Sequence, residues 1–178
     1  MSMFEKIAQN IPDQQINFHD ITLTIRRLDL VHPQISGNKF FKLKYNFLEA
    51  KRQDYQHILS FGGAYSNHIA ATAFAAQQFG FQSVGMIRGE ELADHPLNPT
   101  LATAQQFGMQ LHFVSRDEYR RKQQPEYLAE LAQQFPEHYI IPEGGTNALA
   151  IQGCQEILKD GDAQFDVICC AVGTGGTI

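Results

Sequence analysis

The chain has 178 residues, 43% of them hydrophobic and 19% charged, which allows a real core in one sizeable domain or two small ones. A formal net charge of −5 leaves no basic footprint for nucleic acid. The longest purely apolar run, Val167–Val172, is far too short to span a bilayer, and Met1–Ile11 lacks a signal-like apolar core. Three cysteines without a CxxC pair argue against a thiolate metal site and for a reduced, cytoplasmic protein. Cys169 and Cys170 are adjacent in an apolar run, which predicts small buried side chains rather than a bridge.

In chain order, Ile21–Leu30 alternates apolar and polar residues and predicts a strand ending near His32-Pro33. A Ser36-Gly37-Asn38 turn then opens a helix to about Arg52, with Phe41, Tyr45 and Leu48 on one face. His57–Phe61 is a short apolar run before Gly62-Gly63 and predicts a buried strand. Ser66–Phe79, alanine-rich and closed by Gly80, predicts a helix buried on most sides. Strands follow at Phe81–Arg88, Gln110–Ser115, Tyr139–Pro142 and Asp166–Val172. Helices are predicted at Pro99–Phe107, Glu126–Phe135 and Asn147–Lys159. Strands alternating with helices of this length imply an α/β fold with a mainly parallel sheet. The polar stretch Arg88–Pro99 is the longest loop and reads as plain surface.

Three stretches carry candidate chemistry. Lys39 sits behind a turn at the mouth of a helix, the short rigid mounting that a Schiff-base lysine needs. The same stretch also reads as the exposed stripe of an amphipathic helix. Gly62–His68 runs from strand through loop into helix, and its free N–H groups, with Ser66 and Asn67, suit a carboxylate or phosphate. Ser66 or Asn67 acting only as a cap is the competing reading, and His68 is expected to pack within the first helical turn. Gly173, Thr174, Gly175, Gly176 and Thr177 follow an apolar strand, where free backbone and two hydroxyls can wrap phosphate oxygens. Neither the dinucleotide fingerprint nor a P-loop is present there. Glu143–Asn147 reads as a structural turn in which Thr146 caps a helix. The histidines show no HExxH or paired spacing, so no metal site is expected, and no GxSxG elbow is present.

A turn lysine, an anion-ready Ser-Asn helix start and a Gly/Thr phosphate loop, in that order, match the needs of an aldehyde cofactor bearing a phosphate, pyridoxal 5'-phosphate. With Gly37-Asn38-Lys39, Lys42-Leu43, Tyr45, Gly62-Gly63, Ser66-Asn67-His68, Ile141-Pro142, Gly144-Gly145, Asn147-Ala148 and Gly173–Thr177, the chain resembles the 1-aminocyclopropane-1-carboxylate deaminase/D-cysteine desulfhydrase family. That family belongs to the tryptophan synthase β-like group, fold type II. The resemblance runs from about residue 20 to Ile178.

It implies a three-layer α/β/α fold with mainly parallel sheets, a small domain over residues 41–146, and an incomplete large cofactor domain over residues 1–40 and 147–178. Lys39 would form the internal aldimine and shuttle the substrate proton. Ser66 would be the second catalytic residue, the nucleophile of the cyclopropane deaminases or a carboxylate contact in other members. Asn67 would bond the ring oxygen, Ser66, Asn67 and His68 would meet the substrate, and residues 173–177 would hold the phosphate. Ala64-Tyr65 stands where the deaminases carry Ile-Gln, and Ala70 where a basic residue is common, whereas His68 matches the desulfhydrases. The resemblance therefore implies a lyase of the D-cysteine type ahead of a ring-opening deaminase, acting on a small amino acid and forming a homodimer at full length. It further implies that the C-terminal part of the large domain is missing, with the partner of the pyridine nitrogen and a catalytic tyrosine. Outside catalysis, the same residues describe an anion-binding α/β module or an inactive fragment.

Overall fold

The computed structural model describes residues 1–178. Two strands near the N-terminus, β1 (Asp13–Phe18) and β2 (Ile21–Arg26), form an antiparallel hairpin. Helix α1 (Asn38–Arg52) leads into β3 (His57–Gly63), α2 (Asn67–Phe79), β4 (Gln82–Arg88), α3 (Pro99–Gln106) and β5 (Met109–Val114). The short α4 (Arg116–Arg120) and α5 (Pro125–Gln134) precede β6 (His138–Ile141), and α6 (Ala148–Gln155) is the last α-helix, followed by a 3-10 turn at Asp160–Gln164. The four central strands are all parallel, in the order β5-β4-β3-β6.

Period-two alternation sorts the strand residues onto two faces. Leu59, Phe61, Val84, Met86 and Val114 pack with Tyr119, Tyr127 and Leu131 of α4 and α5. On the opposite face, Ile87 and Met109 meet Ile69 and Ala73 of α2 and Leu101 and Ala104 of α3. Ile58 and Ile141, on that same face, join Phe40, Leu43 and Phe47 of α1. The chain thus forms helix, sheet and helix layers, as expected. From β3 through β5 each strand adds on one side, but the connection after β5 crosses under the sheet and sets β6 on the far side of β3. That reversal makes a topological switch point between β3 and β6. The loops leaving their carboxyl ends part there and open a crevice.

Several local expectations need correction. The strand expected over Ile21–Leu30 stops at Arg26, and Leu28–Leu30 forms a 3-10 turn. The sequence pattern predicts neither hairpin strand β1 nor helix α4; both are short and polar, so neither carries an apolar period of its own. The helix expected over Asn147–Lys159 runs only from Ala148 to Gln155.

The strand expected over Asp166–Val172 does not form. Val167 is 75% exposed and Val172 60% exposed, because no neighbouring strand offers the ladder that an isolated extended run requires. Cys169 and Cys170 are consequently exposed rather than buried, while Cys154 is buried. No helix of the chain is long and apolar enough to cross a membrane.

Candidate active site

An open cleft of about 490 Å³ lies at the switch point. It draws on the start of α1, the loop after β3, the turn after β6 and the segment Ala171–Thr177. Lys39, Ser66, Asn67, His68, Gly173, Thr174 and Thr177 all line it, so stretches separated by more than a hundred residues meet in one place. Gly175 and Gly176 do not line it. Gly175 is exposed with φ +82°, and Gly176 is buried behind Thr146 and Lys42.

Lys39 is mounted as its sequence context requires. Gly37 precedes α1 at φ +66° and ψ −151°, a backbone state that side-chain-bearing residues seldom adopt. No side chain caps the helix. Asn38 is instead used sideways: Lys39 Nζ donates to Asn38 Oδ1 at 2.7 Å, and Asn38 Nδ2 donates to Thr177 Oγ1 at 2.9 Å. The Lys39 amine is half-buried, and burial holds its pKa below the ordinary lysine value. A larger share of the amine is therefore unprotonated and nucleophilic at neutral pH than for a surface lysine.

In the sequence Lys42 stands out only as part of a motif, and its surroundings are a structural finding. It lies one helical turn beyond Lys39 and is 1% exposed, yet no carboxylate pairs with it. Its Nζ donates to Thr146 Oγ1 at 2.8 Å and to Thr174 Oγ1 at 3.1 Å, and those two hydroxyls also bond each other. Burial lowers its pKa, and the neighbouring Lys39 charge adds to the effect. The i, i+3 spacing from Lys39 was the available signal, because residues three apart share a helix face.

The glycines on either side make this approach possible. A Cβ on Gly176 would stand 2.7 Å from Thr146 Cγ2 and 3.0 Å from Lys42 Nζ, and one on Gly144 would stand 3.0 Å from Thr174. Glu143–Gly145 is thus part of the cleft wall and not only a turn. Asn147 caps α6 by accepting from Ala150 N, which frees Thr146 for Lys42. Glu143 also lines the cleft, where Tyr119 Oη donates to its Oε1 at 2.7 Å and Lys122 lies 3.3 Å from its Oε2.

At the start of α2, Ser66 does act as the cap, its hydroxyl accepting from Ile69 N at 3.4 Å. Asn67 is exposed at the first helical position. His68 is buried in the first turn, as expected, and its Nε2 lies 2.8 Å from Ser60 Oγ. Burial, reinforced by the charges of Lys39 and Lys42, depresses its pKa to about 3, so the ring is neutral.

The donor set fits a phosphorylated aldehyde: an amine of lowered pKa, a buried cation between hydroxyls, a helix N-terminus, and glycines where side chains would close the space. The family model described as "Pyridoxal-phosphate dependent enzyme" matches residues 19–178. A putative 1-aminocyclopropane-1-carboxylate deaminase of Thermotoga maritima is 33% identical over 90% of this chain and 53% of its own length. The mitochondrial bifunctional D-cysteine desulfhydrase/1-aminocyclopropane-1-carboxylate deaminase of Arabidopsis thaliana is 31% identical over 88% of this chain and 43% of its own. The crystal structure of an ACC deaminase homologue superposes with a TM-score of 0.77 at 25% identity, covering 96% of this chain and 55% of that one. The chain therefore spans about half the length of the curated relatives it matches. On the matched residues, the fold and the lysine-bearing cleft, this chain belongs to the pyridoxal-phosphate-dependent enzyme family.

Proposed function

We propose that this chain builds the lysine-bearing part of a pyridoxal-phosphate-dependent lyase or deaminase acting on a small amino acid, of the D-cysteine desulfhydrase or 1-aminocyclopropane-1-carboxylate deaminase type. The observation that carries this reading is Lys39. Its amine is half-buried and of lowered pKa, in the same cleft as Ser66, Asn67 and the Thr174 and Thr177 hydroxyls. When bound, the cofactor supplies an electron sink for charge developing at the substrate α-carbon.

Lys39 would be the residue that holds the cofactor's aldehyde carbon, and its amine would move the proton at the substrate α-carbon. Lys42, Thr174 and Thr177 would hold the phosphate, with Gly173 leaving the backbone open beside it and Gly175 and Gly176 shaping the turn behind. Asn67 meets the ring oxygen. Ser66 and the N–H groups at the start of α2 orient the substrate carboxylate, with His68 beside them. Residues 41–146 are assigned to a small domain, and residues 1–40 and 147–178 to the cofactor domain. His68 in place of the deaminase residue favours a D-amino-acid substrate with a leaving group at the β-carbon. The full-length assembly is assigned as a homodimer.

Trapping tests the reading. The protein is incubated with pyridoxal phosphate, reduced with borohydride, and its peptides are mapped by mass spectrometry. Modification concentrated at Lys39, and lost in Lys39→Met, is the expected result. Equal labelling of exposed lysines such as Lys51, unchanged in Lys39→Met, would overturn it.

A further inference from the structure

Ser60 lies on β3 with its side chain on the α2 face of the sheet, fully buried. Its hydroxyl donates to the Ile141 carbonyl of the adjacent strand at 2.9 Å and lies 2.8 Å from His68 Nε2. A hydroxyl has one proton, and a carbonyl only accepts. With that proton on the carbonyl, the Ser60 oxygen must accept from His68, so Nε2 carries the ring hydrogen. A neutral imidazole has a single N–H, which leaves Nδ1 as a bare lone pair. Nδ1 meets no protein partner in either tautomer, but the opposite one would set a single Ser60 proton between two acceptors, the Ile141 carbonyl and Nε2. A buried acceptor left unpaired keeps its full desolvation penalty, which disfavours that form.

Nδ1 has no partner in the protein, although His68 is only 2% exposed and is one of the residues that line the cleft. It stands 3.8 Å from where a Cβ on Gly145 would be, so the glycine keeps a side chain from packing against it. Lys39 has one of its three ammonium protons placed, on Asn38.

We propose that Ser60 is a positioning residue of the cleft, which fixes His68 as the Nε2–H tautomer so that Nδ1 accepts a hydrogen bond from an alkylammonium group. The ammonium is that of Lys39 or of a bound amino acid; the second source rests on the function proposed above. Neutrality of the ring matters because a protonated imidazole beside two lysines would repel the group it is there to receive.

Long-range 1H–15N NMR of the histidine rings in the 15N-labelled full chain tests this directly, with the His68 signals identified by their loss in His68→Gln. The expected pattern at neutral pH is a pyrrole-type Nε2 and a pyridine-type Nδ1, and Ser60→Ala shifts the ring towards the Nδ1–H form. An Nδ1–H ring in the parent protein, or an unchanged tautomer in Ser60→Ala, overturns the proposal. If circular dichroism shows that Ser60→Ala does not fold, Ser60→Cys is read instead, since a thiol of similar size accepts only weakly. An Nδ1 signal that moves in Lys39→Met identifies the lysine as the donor. One that moves in Lys39→Met only when glycine is added identifies the ligand amine, and indifference to both overturns the acceptor role. None of these readouts needs pyridoxal phosphate, so failure of the trapping experiment and failure of this proposal are separately visible.

Discussion

Lys39 and Lys42 share a helix face, a cleft and a downward pKa shift, yet their surroundings suit them to different work. Lys39 has one neighbouring amide oxygen, whereas Lys42, on the same cleft, is held between two threonine hydroxyls as a fixed point charge. Replacing Lys42 by Met removes that charge while leaving Thr146 and Thr174 to bond each other. A hydrogen bond to a charged group contributes about 1.5–3 kcal/mol, so Lys42→Met should weaken pyridoxal phosphate binding roughly 10- to 100-fold. Titration followed by cofactor absorbance would show it, and unchanged affinity would remove Lys42 from the phosphate site.

His68 makes a second residue-scale prediction, because its folded pKa of about 3 lies below the ordinary value of 6.5. Its contribution to stability is complete above pH 6.5 and is lost as pH falls towards 3, by up to about 1.4 kcal/mol per pH unit. Urea midpoints measured across that range should fall more steeply for the parent than for His68→Gln, in which the carboxylate contributions are the same and cancel. Parallel pH profiles would show that His68 titrates freely.

Helix α6 approaches α1 most tightly at Gly153. A Cβ on Gly153 would stand 2.0 Å from the Phe41 carbonyl oxygen, so the two backbones approach as closely as they do only because a side chain is missing. In an open helix, Gly→Ala stabilises by roughly 0.5–1 kcal/mol. Here overpacking costs about 1–3 kcal/mol, so Gly153→Ala should lower the melting temperature by several degrees. The displaced element would be the one that carries Lys39, and cofactor affinity should fall along with stability. A raised melting temperature would show that α6 can move away from α1 without cost. The hairpin is tied down by charge: Arg26 on β2 bonds Asp13 on β1 as well as Asp162 and the Ile157 carbonyl beyond α6. Arg26 reaches both ends of the chain at once, which joins segments whose sequences show no relation to each other.

For the molecule as a whole, apolar surface is concentrated in two places, the outer positions of the hairpin and the segment Asp166–Val172. Phe18, Ile21, Leu23, Ile25, Val167, Ile168 and Val172 are all exposed. Surfaces of this kind favour association. The chain on its own should self-associate with rising concentration, and Ile168→Lys should reduce the effect in sedimentation or size-exclusion profiles. The backbone amides of Asp166–Val172 make no backbone hydrogen bond, so their hydrogens should exchange at nearly unprotected rates while those of β3 and β4 stay protected. Protection across Asp166–Val172 would mean that a strand forms there after all.

What the sequence determined by itself is whatever short-range periodicity and turn chemistry encode. The parallel α/β framework from His57 to Ile141, the turn that mounts Lys39 and the Ser66 cap were legible because each depends on neighbours within about one helical turn or one strand. The Asp166–Val172 run was misread for the complementary reason: its composition suits a strand, but a strand exists only where a partner supplies the ladder. Only the tertiary structure decided that β6 returns beside β3, and that reversal brings Lys39, Ser66, Gly144 and Thr174 to one cleft. It also decided the duties of Lys42, Thr146, Ser60 and Glu143, whose partners lie up to 132 residues away in the chain. Such pairings follow from which loops meet at a switch point, and no local pattern of residues records that.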